Sequence, residues 1–500
     1  MAPRICRWVL RGQPPLRSSV ASRRLLSSRG GSEQTRFSYV LPAQKEGDHA
    51  QLFAKLKDSE VLSNPRGHNA AVILATPSFI RQLEDSEFVG EFAKLLSGSA
   101  DIDQFHVLCA VVDQVAPALG EPGALHGISI LRGHLDDTLP ELWLPSPPKA
   151  KEDADFVSAL AFDLGNPWIT LPLTRTTFQN NRTSTLLTSR FDMRQESPQL
   201  LQRIEKHSQR VTISLNKPPQ STTDLGLWAP LSPITRSRVV TESFGNIVRG
   251  IRVDGKTEPA SMELENAVST MFKHRSASDT MQGPMGVWAM ITPQTDLADL
   301  ESAPDPTPIL QGKPVTRDSI EVTAQYLEHS YKSGGRLFQI LSGGGGWGPK
   351  KGLLSIDPQR THFAPSEEEE MARFMQTMDN SGYAPTGSEI QFFIPAQAPP
   401  EDTSCSTSGI VFGVPIGTEP AAETEVPETG YLVSGHFGAL ASQGVFVSGP
   451  ADPETGIADE SKLSVPNSRV YVGGGERKPG GILGILGAGG LADAATAALM

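Results

Sequence analysis

Residue types and spacings that suggest chemistry are sparse in this chain. The densest set lies in "RLFQILSGGGGWGPKKGLLSID", residues 336–357, where Gly343, Gly344, Gly345 and Gly346 precede Trp347, Lys350 and Lys351. A phosphate loop needs a lysine and then a hydroxyl residue after its last glycine. Pro349 follows Gly348 instead, and Lys350 is followed by Lys351, so a Walker nucleotide loop is excluded. A dinucleotide fingerprint fails as well, because "GLLSID" reads as a strand and supplies no helix N-terminus for a pyrophosphate. Two readings stay open. The glycines form a turn between strands, or they form a floor that a ligand approaches closely, with backbone N–H groups, Trp347 and the two lysines around a small anionic or carboxylate molecule.

Other candidates are thinner. "SGHFGALASQG", 434–444, puts His436 between glycines on an expected loop, where it would contact a ligand shared with the glycine segment or serve as an ordinary turn histidine. His134, Asp136 and Asp137 in "GHLDD" offer metal-ligand types, yet a solvated loop after the 127–132 strand accounts for them better. No G-x-S-x-G occurs, and Cys109 lies inside an apolar strand, where a buried inert thiol is expected. Cys6, Cys109 and Cys405 have no paired spacing, which argues against a disulfide framework and fits a reducing compartment. No cofactor is called for by these motifs, and a catalytic site would have to assemble from residues distant in sequence.

The elements that must position these residues alternate between strand and helix patterns. "NAAVILATP" (69–77) and "FHVLCAVVD" (105–113) read as buried strands joined through helical spacing over 78–98, which predicts a parallel pair. From 127 onward strands dominate, at 127–133, 155–165, 168–178, 183–191 and 211–215, and an amphipathic helix is expected over "SPQLLQRIEKHSQR", 197–210. The second half contains a helix over 258–272, strands at 286–293, 336–342, 352–357, 389–395, 409–415, 444–449 and 469–474, and a capped helix over 366–378. "AVILATP" and "VWAMITP" echo one another, which hints at related halves. The fold class is α/β to α+β, with two strand-rich halves of mixed sheets and interspersed helices. The expected organisation is a targeting segment over 1–31, a linker over 32–60, an N-terminal domain over 61–240 and a C-terminal domain over 241–475. Acidic, Pro-rich insertions are expected at 292–314 and 394–430, and a Gly/Ala-rich tail at 476–500.

The first 31 residues hold seven arginines, several serines and no acid, the composition of a mitochondrial presequence. Removing those charges takes the formal net charge from −12 to −19, so bulk electrostatics oppose nucleic-acid binding. No run of about 20 apolar residues predicts a spanning helix, although the Gly/Ala-rich tail leaves peripheral membrane contact open.

In "LSGGGGWGPKKGLLSIDP" (341–358) and "ESKLSVPNSRVYVGG" (460–474) the chain resembles fungal mitochondrial proteins. In "AVVDQVAPALGEPGALHGISILRGHLDDTLPELW" (110–143), and in its strand-rich second half, it is similar to FIST proteins, sensory modules for small ligands built from an N-terminal and a C-terminal half. That likeness extends over residues 60–475 and implies a non-catalytic matrix protein that binds a small molecule or a protein partner. No site residue of the family carries over to a numbered position. Two other roles stay open: an accessory factor in mitochondrial gene expression acting by protein contacts, and an enzyme whose site forms only in three dimensions.

Overall fold

The structure is a computed structural model. It describes residues 34–41, 49–57, 62, 67–98, 102–115, 118–119, 126–144, 157–274, 286–293, 303–343, 352–358, 375, 383–396, 405–406, 409–416, 430–451 and 458–472. The expected targeting segment over 1–31, the expected tail over 476–500, parts of both expected Pro-rich insertions and, apart from residue 375, the helix expected over 366–378 lie outside these residues.

The architecture is mixed sheets with interspersed helices, as the alternating patterns predict. A seven-stranded sheet is built from β1 (Thr35–Leu41), β2 (Ala70–Ala75), β3 (Gln104–Val111), β5 (His126–Gly133), β10 (Leu186–Asp192), β11 (Gln199–Glu205) and β24 (Tyr431–Ser434), in the order β11-β10-β3-β2-β5-β1-β24. The pair β2 and β3 is parallel, as a strand-helix-strand unit requires, and the other pairings of this sheet are antiparallel. Between β2 and β3 the chain forms helices Ile80–Glu84 and Ser86–Ser97, separated at Asp85, whose side chain accepts from the Glu87 N–H and starts the second helix. Gly98, at φ 65°, ends it.

Alternation sends the two faces of this sheet into different cores. Ala71, Ile73, Val107 and Cys109 meet Phe88, Val89 and Phe92 of the helices, while Val72, Leu74, Leu108 and Leu131 face the opposite way. Against that second face lie a five-stranded sheet and a four-stranded sheet. The first has the order β12-β6-β7-β26-β27, from β6 (Ala159–Asp163), β7 (Trp168–Pro172), β12 (Ser208–Thr212), β26 (Val445–Ala451) and β27 (Ala458–Leu463). The second has the order β13-β28-β23-β25, from β13 (Gly226–Trp228), β23 (Gly409–Gly413), β25 (His436–Leu440) and β28 (Arg469–Val472). Phe162, Phe412 and Phe437 stack and abut at this layer, with ring centroids 4.4–6.4 Å apart.

The remaining large sheet closes on itself. Strands β15 (Arg238–Phe244), β16 (Ile247–Val253), β20 (Leu354–Ile356), β19 (Arg336–Gly343), β18 (Trp288–Thr292) and β21 (Glu389–Pro395) pair in that order, and β21 returns to β15, giving a ring of six antiparallel strands. Val240, Val248, Ile291, Phe338, Ile390 and Phe392 are buried in one cluster with Leu264 and Met271 of helix Ala260–His274. Closure removes the open edges a six-stranded sheet would otherwise expose. Strand β14 (Leu231–Pro233) extends the ring beside β21, and β17 (Lys256–Pro259) hangs on β16. Two short pairs, β4 (Ala118–Leu119) with β22 (Cys405–Ser406) and β8 (Arg175–Thr176) with β9 (Arg182–Ser184), complete the strands. Among the described residues no helix is long and apolar enough to cross a membrane.

Two local expectations are corrected, and one helix is new. Residues 197–210 are strands β11 and β12, not a helix: the apolar spacing suits either, and pairing with β10 and β6 selects the extended form. The expected linker over 32–60 contains β1, hydrogen-bonded on both edges and buried over Phe37–Leu41, and helix His49–Lys57. Helix Arg317–Lys332 was not anticipated, although Thr316 and Ser319 cap it reciprocally. Strands from both sides of residue 240 also share sheets, since β24 pairs with β1 and β26 with β7.

Candidate functional site

Gly343 ends β19 and pairs with Leu354, so residues 344–351 connect two antiparallel neighbours. Gly344, Gly345, Gly346, Trp347, Lys350 and Lys351 lie outside the described residues. His436 is described, and it does not sit on a loop. After β24 pairs with β1, Gly435 takes φ 73° and the chain turns into β25, in which His436–Leu440 are all buried. His436 thereby joins the four-stranded sheet while facing β1 of the seven-stranded one.

There it enters a closed polar chain. Ser38 and Ser129 oppose each other in the β1–β5 register, and the Ser38 hydroxyl donates to Ser129 Oγ at 2.8 Å. Ser38 has one proton, so the 2.6 Å contact with His436 Nδ1 is a bond donated by the imidazole. Ser129 Oγ also accepts from the Gly438 N–H at 3.0 Å. All three side chains are fully buried. This polarity is opposite to that of an activated serine, which would give its proton to the imidazole. The arrangement pins two sheets together.

A second polar cluster lies at the far end of the seven-stranded sheet and reaches the surface. Leu186, Thr188 and Arg190 alternate onto the inner face of β10, and Arg190 pairs with His106 of β3 on one side and Gln202 of β11 on the other. After β5 the chain makes the short helix Leu135–Thr138 and a turn in which Glu141 adopts φ 58°. Leu139 and Leu142 enter the core, and the buried Lys206 and Gln209 donate to the carbonyls of Leu142 and Pro140 at 2.8 and 2.9 Å. The turn is thus fixed, and it lays Trp143 across the sheet end. The Trp143 Nε1–H donates to His106 Nδ1 at 3.1 Å, and the Arg190 guanidinium lies over the indole at 5.2 Å.

Burial, and then the Arg190 charge, push the His106 pKa down from 6.5 to about 4, with Asp136 opposing. His106 is therefore neutral at pH 7 and carries its proton on Nε2. Arg190 Nη2 donates to Gln202 Oε1 at 3.0 Å, but its buried Nε finds no acceptor, nor does the hydroxyl of fully buried Thr188 two residues earlier. No carboxylate pairs with Arg190 among the described residues. Next to this shelf Leu144 is 56% exposed.

Cys109 is buried and its thiol is pushed up to about 12 by burial, the inert state expected from its strand. His134 starts the Leu135–Thr138 helix, with its ring edge-on to His68 at 5.4 Å, and no group of three or more His, Cys, Asp or Glu among the described residues could hold a metal. Sequence reasoning missed Thr188, Arg190, Trp143 and Gln202. The available signal was a polar pair, Thr188 and Arg190, on the inward alternation of an otherwise buried strand. Compared with known proteins, the chain matches no family model, no curated protein and no solved structure.

Proposed function

We propose that the protein is a non-catalytic binding protein of the mitochondrial matrix that takes a small ligand, a role similar to that of FIST sensory modules. The observation that carries the reading is the half-buried Arg190 guanidinium, 5.2 Å from the Trp143 ring centroid, bonded to Gln202 and with no carboxylate partner among the described residues. A cation kept without a counter-charge, in a chain of net charge −12, is an unfinished interaction that a ligand completes. The acid-free, arginine-rich start supports the matrix location. The glycine segment with Lys350 and Lys351 is a second place where the same chemistry is available.

Thermal denaturation of the full chain against a panel of metabolites tests the role, because a ligand that binds the native state at a hundred times its Kd adds about 2.7 kcal/mol of stability. The expected result is a reproducible rise in Tm with a subset of small molecules. A flat panel, together with co-sedimentation with mitochondrial ribosomes, would replace this reading with the accessory role. Fractionation of cells followed by protease protection tests the compartment, and a protein outside the inner membrane would overturn the matrix assignment.

A further inference from the structure

We propose that an apolar row on the outer face of the ring is the seat of an amphipathic helix from this chain's own segment 359–382, a contact separate from the ligand-binding role above. The row is set by the strand registers. Phe244 of β15 pairs with Ile247 of β16, Ile247 with Ser355 of β20, and Ser355 with Ser342 of β19, so these four side chains lie side by side on one face. Their neighbours Val248, Leu354 and Ile356 are buried in the core of the ring, which turns the row outward. Leu341 is the extra residue of the bulge between Ile340 and Ser342; Ile340 packs against the core and Leu341 faces solvent. Phe244 is 72% and Leu341 56% exposed, and Ile247 between them is half-buried. Apolar exposure gathered in one row marks a contact surface, where single scattered residues would not.

The places where the described chain stops and resumes select the occupant. The Ile356 N–H donates to the Asn246 carbonyl at 2.9 Å, Asn246 Nδ2 donates to the Ile356 carbonyl at 3.0 Å, and the described chain ends two residues later at Pro358. It resumes at Tyr383, whose N–H donates to the Gly245 carbonyl at 3.2 Å, and the Ser243 hydroxyl donates to the Ala384 carbonyl. Both ends of segment 359–382 are therefore fixed at Gly245 and Asn246, the turn that joins Phe244 to Ile247. Within the segment Met371, Phe374, Met375 and Met378 recur at i, i+3, i+4 and i+7, the spacing of one helix face. Met375, the one described residue of the segment, is helical and 52% exposed, so this stripe also has an apolar side chain open to water. A stripe of that span is about 10 Å long and three strand spacings make the row about 14 Å wide, so the two match in size. Tethering at both ends gives the segment an effective concentration at the row that a second copy or a separate partner lacks, and its methionines adapt to a bulged surface.

Hydrogen–deuterium exchange of the full-length protein, read by mass spectrometry, tests the contact. The expected result is slowed exchange over residues 371–378 in the wild type, faster by about tenfold or more in Phe244→Ser and in Phe374→Ser, with peptides from the ring strands unchanged in both. Phe244 is exposed in the row, so its replacement should leave the thermal midpoint of the protein nearly unchanged; if it proves insoluble, Leu341→Ser and Phe374→Ser carry the same comparison. Met371→Ser combined with Phe374→Ser should in turn raise carbene labelling of Phe244 and Leu341 by a few-fold. Exchange over 371–378 as fast in the wild type as in an unstructured peptide would overturn the proposal. Protection that survives both Phe244→Ser and Leu341→Ser would place the helix elsewhere and overturn the seat. Protection that fades on dilution of a species of twice the monomer mass would transfer the row to a second copy. Labelling of the row that rises in Trp347→Ala and not in Phe374→Ser would transfer it to the glycine segment, and either transfer overturns the assignment to 359–382.

Discussion

Two histidines held through Nδ1 stand at opposite ends of the seven-stranded sheet. His436 donates through that atom into a buried chain in which Ser38 and Ser129 are also engaged. His106 accepts through it from Trp143, beside an arginine whose charge nothing described answers. The first cluster is sealed from solvent; the second reaches the surface. Hydrogen-bond geometry near a histidine therefore says little about function until its access to solvent is known.

The sharpest way to break the sealed cluster is Gly438→Ala, because the added Cβ would lie 1.7 Å from the Val411 carbonyl oxygen, a backbone atom that cannot step aside. We expect no soluble folded protein, measured by expression and size-exclusion chromatography. Ser129→Val comes next. It strips the acceptor from Ser38 and from the Gly438 N–H, both buried, and should cost about 2–4 kcal/mol, read from the denaturant midpoint at constant m-value.

The open cluster should answer to pH instead. The folded His106 pKa of about 4 lies below the ordinary 6.5, because burial and Arg190 disfavour the charged ring. Its contribution to stability is therefore complete above about pH 6.5 and is lost progressively as pH falls toward 4. His106→Gln should flatten that part of the stability-versus-pH curve, and an unchanged slope would refute the assignment. Arg190→Ala should have the smallest effect on stability, within about 1 kcal/mol, since the guanidinium gives up only a stacking contact and an exposed hydrogen bond. It should also raise the His106 pKa and so narrow the acid-sensitive window. If Arg190→Ala proved as damaging as Ser129→Val, the two clusters would be alike and the contrast would collapse.

Much of the fold was legible because buried strands write their pattern plainly. "AVILA", "FHVLCAV" and "EIQFFIP" are continuous apolar runs, and all three are strands. "QLLQRIE" was not legible: β11 is a solvent-exposed edge strand whose spacing also suits a helix, and only pairing with β10 decides it. His436 looked like a loop residue because glycines surround it. Gly435 does turn the chain, but Gly438 is required for close approach of β25 to β23. The ring closes through β21 meeting a strand about 150 residues earlier, Arg238 pairing with Ile390, and the shelf needs Trp143, Arg190 and Gln202 from three segments. Local pattern carries no record of such meetings.

The chain leaves the stacked sheets at β14 and returns at the end of β21, and these two points are adjacent: Leu231 pairs with Pro395, and the Ala396 N–H bonds to the Pro230 carbonyl at 3.0 Å. Everything between them, the ring together with helix Arg317–Lys332, is a cassette spliced into a body that residues before 230 and after 408 build jointly. Its boundaries are one hydrogen bond apart, so a change in its length need not redirect the flanking strands. What such a graft must replace is the apolar cover that Trp288, Met290, Leu337 and Phe393 give the body's core, the packing of Ile320 and Ala324 on Trp228, and the bonds from Trp288 Nε1 to Ser464 Oγ and from the Tyr471 hydroxyl to Glu328.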